Sequence, residues 1–212
     1  MNQALNAGAL PRQPLQQRAK DRFERVLAEA EALLLEQGLG GFSIPLLAER
    51  LEFPRATIYK FFPTPYAIFN ELLRRYLATL EQALAAGAAP VVAQGLSWRE
   101  AATALVAHAA AFHNSHPVAR LLILGGPVSN ESYRAQEITI QHLGGLTRRL
   151  FATASIALPE QPDVASLAVD IATTCFRQSV FLHGEITPAY RDEAAYAMIG
   201  YLSRYADRQG LG

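Results

Sequence analysis

From Gln17 to Gln37 the apolar residues Phe23, Val26, Leu27, Ala30, Leu33 and Leu34 return at steps of three and four, while Arg and Glu fill the other face. That period places them on one stripe of an α-helix. Similar segments follow to the C-terminus, and no run of alternating β-branched residues stands out between them. The expected fold class is therefore all-α, with about nine helices, no sheet and no repeat of fixed period.

Helix starts and stops divide the chain. Gly38, Gly40 and Gly41 close the first helix, and Ser43 stands where it can cap a short helix over "IPLLAERL". Pro45 is acceptable there because first-turn amides lack intrahelical acceptors. Phe53 and Pro54 break that piece, and a second short helix is predicted over roughly Arg55 to Phe61. Thr64 and Pro65 open a long helix that should run to about Ala86, followed by a Gly/Pro-containing connection, "AAGAAPVVAQGLS". Further helices are expected at about 97–114, 117–124, 130–154, 163–183 and 189–208. Residues 1–16 read as a flexible arm, 17–62 as one domain and 63–212 as a second.

Half of the 212 residues are hydrophobic (50%) and 18% are charged, enough apolar side chain to offset the entropy of ordering. Net charge is +0, so the whole-molecule field does not identify a polyanionic partner. A single cysteine, Cys175, forms no internal disulfide and fits a reducing compartment. The N-terminus lacks the apolar run of a secretion signal, and "AATALVAHAAAF" is too short to cross a bilayer. A soluble, cytoplasmic protein with no membrane partner is expected.

One long and two short helices have the proportions of a helix-turn-helix unit with its supporting helix. On the second short helix Arg55, Ala56, Tyr59 and Lys60 can face a partner, while Ile58, Phe61 and Phe62 turn inward. Phosphate oxygens need cationic or hydroxyl donors, and Arg55, Thr57, Tyr59 and Lys60 supply them. Ser43 either caps alone or caps and also meets a phosphate.

The run "RVLAEAEALLLEQGLGGFSIPLLAERLEFPRATIYKFF" resembles the N-terminal signature of the TetR family of bacterial transcriptional regulators, with Gly38, Ser43, Leu47-Ala48, Thr57, Tyr59 and Phe62 in register. The likeness covers about a quarter of the chain. It implies that Ser43, Arg55, Ala56, Thr57, Tyr59 and Lys60 contact double-stranded DNA, and that the rest forms a sensor and dimerisation body. Two positions depart from the family pattern: Ala56 stands where Gly is usual, and Pro65 where a Lys is usual. The resemblance implies a homodimeric regulator, most often a repressor, released from a palindromic operator by a small-molecule effector. Read from the residues alone, a constitutive DNA-binding protein and an all-helical enzyme or ligand carrier remain open.

In the body, Ala165, Ala168 and Ala172 are small enough to let another helix approach, and Tyr196 and Ile199 lie on the last helix. By resemblance these five belong to a dimer interface, although packing within one subunit explains them almost as well. His108 and Phe112 are one turn apart and can line an apolar cavity with Tyr133 or Phe176, or pack as ordinary core. His113 and His116 share a helix face without a third ligand close by in sequence, so no metal and no cofactor is predicted. No G-x-S-x-G, G-x-x-x-x-G-K-[ST], H-E-x-x-H or C-x-x-C motif is present, and no catalytic residue is assigned.

Overall fold

A computed structural model of the chain describes residue 8 and residues 10–93, 97–125, 130–153 and 155–206. Among these residues there are nine helices and no strand. They are α1 (Gln17–Gly41), α2 (Ile44–Leu51), α3 (Arg55–Phe61), α4 (Pro65–Ala93), α5 (Trp98–Ser115), α6 (Pro117–Leu124), α7 (Asn130–Thr153), α8 (Val164–His183) and α9 (Pro188–Ala206). None is long and apolar enough to cross a membrane.

Local chemistry sets most of the ends. In α1 the helix breaks at Gly38, whose φ of 65° suits a residue without a Cβ, and a last turn carries on to Gly41. Ser43 accepts a hydrogen bond from the Leu46 amide at 3.3 Å and so caps α2. Ser97 and Glu100 form a capping box on α5, and Asp163 caps α8 through the Ser166 amide. The α4 helix is longer than the sequence suggests, continuing past Gly87 to Ala93. The His108 ring lies directly against Gly87, so close that a Cβ there would stand 2.5 Å from it. The glycine that reads as a breaker in sequence therefore admits a neighbouring helix, and tertiary packing outweighs a weak local preference.

The helices gather into two compact units. The first comprises residues 1–76 and 117–136, the second 77–116 and 137–212. In the first, the α1 stripe of Phe23, Val26, Leu27, Ala30, Leu33 and Leu34 meets Leu47 of α2, Ile58 of α3 and Ile68 of α4 in one core. Val118 of α6 belongs to the same core, so a segment distant in sequence completes it.

Ion pairs fasten that core at its edges. Glu71, with a side chain only 2% exposed, is bound by Arg74 at 2.7 Å and by Arg75 at 2.9 Å. Arg75 reaches across to Glu24 of α1 at 2.6 Å, and Tyr76 donates to Glu31 at 2.7 Å. Arg50 of α2 holds Glu29 of α1 at 2.6 Å and also binds Glu36.

In the second unit α5, α8 and α9 pack together, and Asn114 of α5 brackets the turn between α8 and α9 by bonding both the carbonyl and the amide of Ile186. The α7 helix approaches α8 at Gly144, where a Cβ would stand 2.2 Å from Ser166 Oγ and 2.7 Å from its amide nitrogen.

Two outcomes follow for stability. Burial pushes the Glu71 carboxyl up, but hydrogen bonds and charge from Arg74 and Arg75 outweigh it and hold the group below its ordinary value. A depressed carboxylate contributes stability above its unfolded pKa and loses it as pH falls through the folded one. Glu71→Gln should therefore cost about 1–3 kcal/mol at pH 7, since one buried acceptor is lost while the half-exposed arginines regain water. The gap between variant and parent should narrow as pH falls below about 4; urea denaturation of both proteins at pH 7 and pH 3.5 measures it. Glu52, which follows α2, has φ 55° and ψ 35°, a left-handed conformation that a side chain opposes. Glu52→Gly should raise stability by about 0.5–1 kcal/mol, read as a higher urea midpoint at unchanged slope.

Candidate nucleic-acid interface

The turn into α3 is made by backbone bonds rather than side chains. After Leu51 the Glu52 amide donates to Glu49 O at 3.1 Å and the Phe53 amide to Ala48 O at 2.9 Å, which closes α2 tightly. Pro54 cannot continue that helix, and its carbonyl accepts from the Thr57 amide at 2.8 Å to open the next. The helix then has seven residues. Ile58 and Phe61, with Phe62 just after the helix, are buried. The Phe62 ring stacks on Phe23 with centroids 4.6 Å apart, and Phe61 meets the same ring edge-on at 5.8 Å.

Burying that side leaves Arg55, Ala56, Tyr59 and Lys60 exposed on the other. Tyr59 is 42% exposed, unusual for a large ring on a helix so well anchored. Among the described residues neither Arg55 nor Lys60 has a carboxylate partner, so both cations face solvent unneutralised. Thr57 is half-buried at the edge of this face. Ser43 is half-buried on α2 with its Oγ engaged by the Leu46 amide. Chemically, the face offers a guanidinium, an ammonium and a phenol in one short span, the donor set that phosphate oxygens and base edges accept.

Ties from ahead of α1 steady this face. The amide of Arg12 donates to Phe61 O at 2.7 Å, and Thr64 Oγ1 donates to Gly8 O at 2.6 Å, so residues ahead of α1 are tied to the end of α3 and the turn after it. Nothing in the sequence around Arg12 signals a backbone bond. The Glu71–Arg74–Arg75 cluster was legible in principle, because its steps of three and four put all three on one helix face.

The structure does not gather the four residues suggested for a ligand cavity. His108 is exposed and bonds Ala104 O through Nδ1 at 2.7 Å. Tyr133 is 61% exposed and belongs to the first unit. Phe112 and Phe176 are buried in the second unit, with the buried His113 ring 5.7 Å from the first and 6.2 Å from the second. His116 stacks on Phe112 at 4.3 Å. Among the described residues no group of three His, Cys, Asp or Glu side chains could hold a metal ion.

The five residues suggested for a dimer interface divide as well. Ala165, Ala168 and Ala172 are buried within the protomer, among the residues of α8 that face its own core. Ile199 is half-buried, and Tyr196 is 74% exposed. On the other side of α8, Leu167, Thr174, Gln178 and Phe181 are exposed and Ile171 is half-buried, four and three residues apart by turns, and Phe181 is 84% exposed.

Comparison with known proteins bears on the same two regions. Among curated proteins none matches the sequence. Solved structures share the fold. A TetR-family transcriptional regulator from Streptomyces coelicolor superposes with a TM-score of 0.65 at 20% identity, over 87% of this chain and 99% of that one. The multidrug binding protein EbrR, complexed with imidazole, gives 0.63 at 16% identity, over 85% and 94%. A bacterial regulatory protein in the tetR family from Rhodococcus RHA1 gives 0.56 at 16% identity, over 90% and 98%. The family description "Bacterial regulatory proteins, tetR family" fits residues 26–72, which hold α2, α3 and their supports. "Tetracyclin repressor-like, C-terminal domain" fits residues 97–202, half of the chain. With a helix-turn-helix matched at one end and the family's own C-terminal domain at the other, the chain belongs to the TetR family of bacterial transcriptional regulators, DNA-binding transcription factors rather than enzymes.

Proposed function

We propose that the protein is a cytoplasmic repressor that binds a palindromic operator in double-stranded DNA as a homodimer and leaves it when a small molecule binds the second unit. The observation that carries this reading is the division of α3: Ile58, Phe61 and Phe62 are buried, and Arg55, Ala56, Tyr59 and Lys60 are exposed, with no carboxylate partner for Arg55 or Lys60 among the described residues. Two such helices enter successive major grooves only when their centres stand about 34–36 Å apart. A ligand that favours another spacing shifts the population away from the bound state, and a coupling of about 1–3 kcal/mol changes affinity 5- to 150-fold. The imidazole held by EbrR, a protein of the same fold, gives the small-molecule part of the reading a precedent. In this chain the buried rings of Phe112, His113 and Phe176 supply the chemistry for an apolar or aromatic effector.

The outward seam of α8 supports the homodimer. Its steps of four and three are the spacing with which helices pair in parallel or antiparallel contact, and large apolar groups are rarely left in water without use. Leu167, Phe181 and Leu182 on α8, with Tyr196 on α9, then meet a second copy of the chain.

Both parts are open to measurement. A duplex selected from a random library by the full-length protein should be palindromic, and Tyr59→Phe and Lys60→Ala should each weaken its binding about tenfold or more with circular dichroism unchanged. If neither change moves a gel shift on that duplex, the contact face is misassigned. Phe181→Glu should turn a dimer into a monomer in light scattering and abolish operator binding; a variant that stays dimeric places the interface elsewhere.

A further inference from the structure

The arginines of the first unit fall into two classes. Arg50, Arg74 and Arg75 are all committed to carboxylates within the protein. Arg18, Arg22 and Arg25 are not: all three are exposed, and among the described residues none has a carboxylate partner. They lie four and three residues apart on α1, so they share one flank of that helix.

The two flanks of α1 have different neighbours, and Asp21 is exposed near the basic one. Glu24 and Glu31 lie on the flank turned to α4, where Arg75 and Tyr76 bind them. The basic flank continues into Glu29, which is held by Arg50 of α2, so it is turned to the helix-turn-helix side. One contact places it beside the turn into α3, and a second ties the chain ahead of α1 to the end of α3. The Arg25 guanidinium lies 4.7 Å from the centroid of the Phe53 ring, in the turn ahead of α3. At the other end, the Arg12 amide is bonded to Phe61 O. From Arg12 to Arg25 the chain thus passes from the C-terminal end of α3 to the turn before its N-terminus.

We propose that the basic flank of α1 is a second phosphate track, in which Arg18, Arg22 and Arg25 grip the DNA backbone beside the groove that α3 enters. The inference rests on the DNA-binding reading of α3 and adds sequence-independent contacts to it. Three unneutralised like charges on one edge repel one another, and a polyanion removes that repulsion. Guanidinium groups pair with phosphate oxygens through two parallel N–H donors, so each arginine fixes register as well as charge. The overall net charge of +0 does not oppose this, because fields at a phosphate surface are felt over about one Debye length, about 8–10 Å. Stacked on Phe53, Arg25 is already oriented and loses less freedom when it binds.

The probe is a 40-base-pair duplex of arbitrary sequence, whose affinity for the full-length protein is measured by fluorescence anisotropy from low to moderate NaCl. Each phosphate contact removed flattens the slope of log K against log salt by about 0.9. The triple variant Arg18→Gln, Arg22→Gln, Arg25→Gln should flatten it by about 2.7 per protomer engaged, and the corresponding triple Lys variant should keep most of the slope. On a random library the Gln variant should select the same bases as the parent, only more weakly. An unchanged slope in the Gln variant overturns the proposal, as does absence of low-salt binding by the parent protein or a change in the bases selected. Failure of the operator reading shows differently: the parent would bind the arbitrary duplex with a slope that depends on the α1 arginines, and the library would yield no preferred sequence.

Discussion

A helix of seven residues has no stability of its own in water, because nucleation costs more than so few backbone bonds return. The α3 helix exists because Ile58, Phe61 and Phe62 are buried against α1, with Phe23 stacked on one ring and edge-on to the other. That contact fixes which side of α3 is inside, and by exclusion which side is out. The outward direction of Arg55, Tyr59 and Lys60 depends on it. If Phe23 did not hold these rings, the exposed face would have no defined direction.

Around that core the charges are divided by task. Carboxylates on α1 are drawn to Arg75 and Arg50, which lock the helix to α4 and α2. Glu71 is buried and still charged, because two arginines supply what water would have given it. Glu24, Glu29, Glu36 and Glu71 are used in this way, while among the described residues Arg55 and Lys60 have no carboxylate partner. A chain of zero net charge can therefore present a locally basic edge without any excess of basic residues.

The second unit shows a similar separation of small from large. On α8 the alanines Ala165, Ala168 and Ala172 are buried, and the bulky Leu167 and Phe181 are left outside. Small residues at helical spacing identify a close helix contact, but they do not say with which helix. Spacing picks out the small residues of α8, and only the packing shows that their face is already occupied within one copy. The candidate cavity residues divided for a related reason. His108 and Phe112 are one turn apart in sequence, yet the first bonds its own helix and lies against Gly87, and the second is buried beside His116 and His113.

Periodicity, caps and breakers determined the all-helical class and nearly all the helix ends, because these are decided within a few residues: the Gly38 φ of 65°, the Ser43 cap and the Pro54 break are local facts. The exposed side of α3 was legible too, since its apolar and cationic positions are separated by helical geometry alone. Tertiary structure decided the rest. Continuation of α4 past Gly87, entry of Val118 into the first core, the tie from Arg12 to Phe61 and the pairing of Arg75 with Glu24 all join residues far apart in sequence. Such contacts depend on which surfaces remain unburied once the local elements have formed, and no window of neighbouring residues contains that information.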